Sequence, residues 1–133
     1  MRLLLDTHIA LWAASDDPKL SPSARIIIGD PENTILVSVV SLWEIAIKQS
    51  LRGLRAIRDP LPLTLEAASE AFSESGFDIL DVTPEHVLAL AILPLHHGDP
   101  FDRMLVAQAS SESLGLLTSD RKLPAYGIGV IAV

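Results

Sequence analysis

An α/β domain around a largely parallel sheet is the fold class this sequence predicts, and three observations predict it. Short apolar runs without polar alternation, such as "RLLL" at 2–5 and "TILVS" at 34–38, have the character of strands buried on both faces. These runs alternate along the chain with longer helix-like segments. Ser or Thr followed by Pro marks helix starts, and Gly marks helix stops.

The elements follow in order. After "RLLL", the segment "THIALWAAS" reads as a helix, which leaves Asp6 at a strand-to-helix junction. In "LSPSARIIIGD", Ser21 is placed to cap a helix, with Pro22 at its first position and Gly29 near its end. "TILVS" is the second strand, and "SLWEIAIKQSLRG" (41–53) predicts a helix closed by Gly53. The Pro-containing connection "RAIRDPLP" leads to an amphipathic helix through "LTLEAASEAFSES", stopped by Gly76. "FDILDV" is strand-like, and "TPEHVLALAILP" is a helix from Thr83-Pro84 that Pro94 ends. "DPFDRMLVAQASSES" is the next helix, and "LGLLTSD" and "GIGVIAV" are late strands.

The 133 residues fit one domain, 1–133, long enough to bury a substantial core. Although 49% of them are hydrophobic, no uncharged run approaches the about 18 residues of a membrane span. The surplus apolar content is expected to form core and a subunit interface. "MRLLLDTH" meets an acid at once, unlike a signal peptide. Without cysteine, disulfides, thiolate metal sites and thiol nucleophiles are excluded, which is compatible with a reducing cytoplasm. A net charge of -7 argues against a polyanion binder held by electrostatics alone. It leaves room for a nucleic-acid enzyme whose acids are gathered in one cleft as cation ligands.

Ligands in open α/β sheets sit beyond the carboxyl ends of the strands. Asp6 follows the first strand and Asp120 follows "GLLTS", while Glu44 and Asp102 are expected in the first turns of helices. Each acid also has a plain structural explanation. Asp6 suits a helix cap, with Thr7 competing for the same role, and Asp120 suits a turn. Ser41 and Glu44 have capping-box spacing, and Glu44 stands four residues before Lys48, as in a helical ion pair. Asp99 with Pro100 starts a helix, and Asp102 would favour that helix's positive end. Asp102, however, lies in the helical row of Leu105, Val106 and Ala109, on a segment apolar nearly all round.

What these explanations omit is convergence of the four acids on one edge. Two carboxylates about 4 Å apart repel by roughly 4 kcal/mol at an effective dielectric of about 20. Three or four together need protonation, spreading or a divalent cation. All-oxygen ligands select Mg²⁺ or Mn²⁺ over Zn²⁺, and such ions activate water and neutralise charge on a phosphoryl group. His96 and His97 lack "HxxxH" spacing and read as loop histidines before a capped helix. His8 and His86 stand singly on helices, in surface or packing roles. P-loop, "GxSxG" and dinucleotide fingerprints are missing from the sequence.

"LLLDTHIALW", "VSVVSLWEIAIK", "LPLHHGDPFDRMLVAQA" and "LLTSD", in this order across essentially the whole chain, resemble a PIN-domain protein, and in particular VapC-type toxins of bacterial toxin–antitoxin pairs. The resemblance implies a three-layer α/β/α sandwich with a short, mainly parallel sheet. It further implies a cytoplasmic Mg²⁺- or Mn²⁺-dependent endoribonuclease, usually a homodimer, inhibited by a cognate VapB-like antitoxin. The family's acidic positions fall on Asp6, Glu44, Asp102 and Asp120, as catalytic residues and metal ligands. Thr7, Thr118 or Ser119 would orient these acids, and Lys48, Arg103 and Arg121, with Lys122 as a weaker candidate, would position RNA. Two other readings stand beside it: a non-catalytic interaction module, and a metal-dependent phosphatase. Against the phosphatase, His8 occupies the place where "DxDxT" requires a second acid.

Overall fold

The structure, a computed structural model, describes residues 1–51, 61–127 and 129–133. The first strand, β1 (Arg2–Leu5), buries Leu3, Leu4 and Leu5 completely. Three consecutive leucines can all be buried only if both faces of the strand are covered, because successive side chains point to opposite faces. The helices supply that cover. Leu3 and Leu5 share a core with residues of α1 (Thr7–Ala14), α2 (Pro22–Gly29) and α4 (Leu65–Glu74), including Ile9, Ala24 and Phe72. Leu4 packs in a second core with Leu105, Val106 and Ala109 of α6 (Pro100–Glu112). Helix α5 (Pro84–Ala91) lies against α6. The result is a three-layer α/β/α sandwich.

Among the described residues the sheet has five strands, all parallel, in the order β3-β2-β1-β4-β5. The others are β2 (Thr34–Ser38), β3 (Asp78–Leu80), β4 (Gly115–Thr118) and β5 (Val130–Ala132). Leu5 is in register with Val37 of β2 on one side and Leu117 of β4 on the other. The chain builds outward from β1 to β2 and β3, then returns to β1's other side for β4 and β5. The carboxyl ends of β1, β2 and β4 therefore lie side by side, with the strand order reversing at β1, where a ligand crevice forms in folds of this kind.

Two sequence expectations change here. Helix α3 runs Val39–Ser50, so it starts two residues before Ser41. Ser38, the last residue of β2, is its cap and accepts from the Val40 amide at 3.0 Å. Ser41 lies inside the helix and makes no capping box with Glu44, which falls in the second turn rather than the first. The strand has no loop to spare before the helix, so the cap moves back to the strand end. A 3₁₀ turn at Leu123–Tyr126, which the sequence pattern did not reveal, joins β4 to the last strand. Gly53 and most of "RAIRDPLP" lie outside the described residues. Among the described residues, no helix is long and apolar enough to cross a membrane.

Candidate functional site

Asp6 is the cap of α1: its Oδ1 accepts from the Ile9 amide at 2.8 Å. The Thr118 hydroxyl at the end of β4 donates to its other oxygen, Oδ2. The same Thr118 oxygen accepts from the Asp120 amide at 3.0 Å. One buried hydroxyl thus ties the acid after β1 to the acid after β4, while Ser119 is exposed. Asp120 forms a turn with its Oδ1 accepting from the Lys122 amide at 2.8 Å, leaving Oδ2 directed elsewhere.

Glu44 is buried on α3. Thr7 Oγ1 donates to its Oε1 at 2.7 Å, and Lys48 Nζ donates to its Oε2 at 2.6 Å. Thr7 Oγ1 also lies 2.9 Å from Ser41 Oγ. Thr7 therefore does not compete for the cap of α1, and Asp6 holds that role alone. On α6, Asp99 is the cap, its Oδ1 accepting from the amides of Phe101 and Asp102 at 2.8 and 3.0 Å. Asp102 is three residues further, in the first turn of the helix, and half-buried.

The electrostatics show which acids feel one another. Burial pushes the Asp102 carboxyl up to about 7, with the charges of Asp99, Asp6 and Glu44 adding to it and His97 opposing. Burial likewise raises Asp6, against the hydrogen bonds from Thr118 and the Ile9 amide. Asp120 behaves oppositely. Partial burial raises its carboxyl too, but the Lys122 amide, His97 and the Lys122 charge together outweigh that and hold it below the ordinary value.

His97 enters this group although the sequence reading left it as a loop residue. Its Nε2 lies 2.8 Å from Asp120 Oδ2 and 3.5 Å from Asp102 Oδ2. His97, Asp102 and Asp120 each offer an atom within 4.8 Å of one another. Spacing could not have revealed this, because Asp120 lies 23 residues away. His86 is fully buried and bonded to Glu112 at 2.8 Å, in a packing role. Asp102 thus belongs to two sets: it is coupled to Asp6 and Glu44 through charge, and to His97 and Asp120 through proximity.

The candidate bases divide. Lys48 neutralises Glu44. Arg103 turns toward the end of α5, with Nη2 donating to the Leu93 carbonyl at 3.3 Å. Arg121 and Lys122 are exposed beside Asp120. This donor set, carboxylates gathered from separate elements around one whose proton is held up to about 7, suits a hard divalent cation with oxygen ligands.

Comparison with known proteins agrees with this architecture. Ribonuclease VapC22 of Mycobacterium tuberculosis is 29% identical over 126 residues, covering 93% of this chain and 91% of that protein. VapBC2 of Rickettsia felis, solved bound to a promoter DNA fragment, superposes with a TM-score of 0.66 at 17% identity, covering 100% of this chain and 98% of that one. A toxin–antitoxin complex from Klebsiella pneumoniae gives 0.62 at 19% identity, covering 98% and 96%. The PIN domain profile matches residues 3–129. With nearly its whole length matched and its acids gathered where the parallel strands end, the chain belongs to the PIN-domain family.

Proposed function

We propose that this chain is a VapC-type endoribonuclease that hydrolyses RNA phosphodiester bonds with Mg²⁺ or Mn²⁺ and is restrained by a VapB-like antitoxin. The observation that carries the reading is the linkage of acids at the strand ends of a PIN fold: Thr118 ties Asp6 to Asp120, Asp102 has an oxygen within 4.8 Å of one on Asp120, and the charges of Asp6 and Glu44 act on Asp102. The similarity to a ribonuclease over most of both chains supports it.

Asp6, Glu44 and Asp102 would hold the ion, with Asp120 completing the set. When bound, the ion supplies activated water and stabilises negative charge on the phosphoryl group. Asp6 and Glu44 are held rigidly by the hydrogen bonds from Thr118, the Ile9 amide and Thr7. Asp102 and Asp120 are more open, so they face the crevice through which RNA would arrive. Arg121 is suited to a phosphate of the substrate, and Lys48 would reach one only by leaving Glu44.

Two apolar surfaces support the partners. Trp43, Ile47 and Leu51 stand exposed on or beside α3, and a groove of about 520 Å³ between α3 and α4 is lined by Val39, Trp43, Ala46 and Leu65. An antitoxin segment would lie there, along the helix that carries Glu44, and send a basic side chain toward the acids. Leu88 on α5, with Ile92 and Leu95 in the segment just after it, leaves a second set of large apolar side chains exposed, suited to a homodimer contact. A bacterial cytoplasmic location agrees with this role.

The deciding experiment is cleavage of RNA by the purified chain in Mn²⁺, compared with folded Asp6→Asn and Asp102→Asn variants and with chelator. Activity should fall by orders of magnitude in each variant, because the ligands act as a unit. Undiminished cleavage by either variant sinks the assignment. Mn²⁺ uptake without any cleavage would favour the interaction-module reading.

A further inference from the structure

His97 stands at the acidic edge with no part in the reaction proposed above. Its Nδ1 accepts a hydrogen bond from the Asp99 amide at 2.9 Å. A backbone amide can only donate, so Nδ1 presents its lone pair and the ring proton sits on Nε2. That Nε2–H is 2.8 Å from Asp120 Oδ2, a hydrogen bond, whereas 3.5 Å to Asp102 is too long for a good one.

The ring is also well anchored. Tyr126 Oη accepts from the His96 and His97 amides at 3.2 and 3.1 Å, and the His96 ring packs edge-on against the Tyr126 ring at 5.0 Å. The 3₁₀ turn thereby fixes the backbone on one side of His97, and the cap of α6 fixes it on the other.

We propose that His97 is a positioning residue: it donates from Nε2 to Asp120, holding that carboxylate toward Asp102, and is not a metal ligand. Proximity alone would group it with Asp102 and Asp120 as a third ligand. Ligation through Nε2, however, requires the proton on Nδ1, where it would meet the Asp99 amide donor to donor. The same arrangement occurs at His86, far from this role: Nδ1 accepts from the Thr83 amide at 3.1 Å and Nε2 meets Glu112. His86 therefore serves as an internal reference. The positioning role rests on the metal-nuclease reading of the acids, but the tautomer does not.

Long-range ¹H–¹⁵N NMR on the full chain, metal-free and with Mg²⁺, reads the tautomer directly. Both histidines should show protonated Nε2 in both states; a switch of His97 to protonated Nδ1 overturns the proposal. Pulsed EPR of the Mn²⁺-loaded chain should lack coupling to a directly bound imidazole nitrogen, and its presence also overturns the proposal. His97→Ala should weaken Mn²⁺ binding about tenfold, as loss of a residue that orients a ligand does, while His97→Gln, which keeps an N–H donor, should recover most of it. Unchanged Mn²⁺ affinity in His97→Ala would remove the positioning role. If the native chain takes up no Mn²⁺ at all, the nuclease reading and the positioning role fall, while protonated Nε2 in the metal-free chain would still uphold the tautomer set by the Asp99 amide.

Discussion

Asp102 and Asp99 sit three residues apart and are opposite in character. Asp99 has its oxygen occupied by two helix amides, so it is a structural acid. Asp99→Asn or Asp99→Ser should keep near-native activity, and Asp99→Ala should lose about 1 kcal/mol of stability, measured by urea unfolding. Asp102 is pushed up from the ordinary 3.8 to about 7 by burial first, and further by crowding from Asp99, Asp6 and Glu44. A raised acid binds its proton more tightly in the folded state, so the metal-free protein is stabilised below the ordinary value and loses that stability as pH rises through 7. Asp102→Asn should flatten this fall. At pH 8, unfolding of the metal-free variant should require on the order of 2 kcal/mol more than the native chain, while activity collapses. A variant with the same pH slope as the native chain would show that Asp102 is not the crowded group. Metal uptake by the native chain should correspondingly strengthen between pH 6 and 8.

At the level of elements, the site is assembled by strand ends. Thr118, the last residue of β4, donates to Asp6 after β1 and accepts from the Asp120 amide. Thr118→Val keeps the shape but leaves a buried carboxylate oxygen without that donor. It should cost about 1–3 kcal/mol and weaken Mn²⁺ binding, read by chemical unfolding and by calorimetric titration. Ser38 does comparable work at the end of β2, capping α3 and donating to Gln108 Oε1 of α6 at 2.5 Å. This bond links the helix that carries Glu44 to the helix that carries Asp102. Ser38→Ala should therefore lower stability by more than an exposed cap would, since a fully buried amide oxygen also loses its donor.

The whole molecule combines a net charge of -7 with large apolar side chains left in solvent. Leu88, on α5, and Ile92 and Leu95, in the segment just after it, are 69, 85 and 79% exposed. Leu88→Glu combined with Ile92→Glu should convert the proposed dimer into a folded monomer, detected by light scattering, with an unchanged circular dichroism spectrum. A native chain that is already monomeric at high concentration would refute the interface. The acids of the crevice lie away from this test, since neither leucine nor isoleucine here contributes to either set around Asp102.

Much of this was legible in the chain before folding. Non-alternating leucines in "RLLL" require cover on both strand faces, and the three-layer sandwich follows from that requirement and the strand–helix alternation. The Asp99-Pro100 cap and the Gly76 stop, with its φ of +75°, are local chemistry and could be read directly. The start of α3 could not, because Ser38 and Ser41 are equally good caps locally; the register of β2 and the buried Gln108 selected Ser38. Nor could the placement of His97. Its partner is brought alongside by the pairing of β1 with β4, and its tautomer is set by an amide whose direction depends on the folded loop. Sequence alone determined which residues carry charge and which segments must be buried, since those depend on composition and period. Only the tertiary structure decided which charges face each other and which hydrogen bond each oxygen keeps, because both depend on distances between elements far apart in the chain.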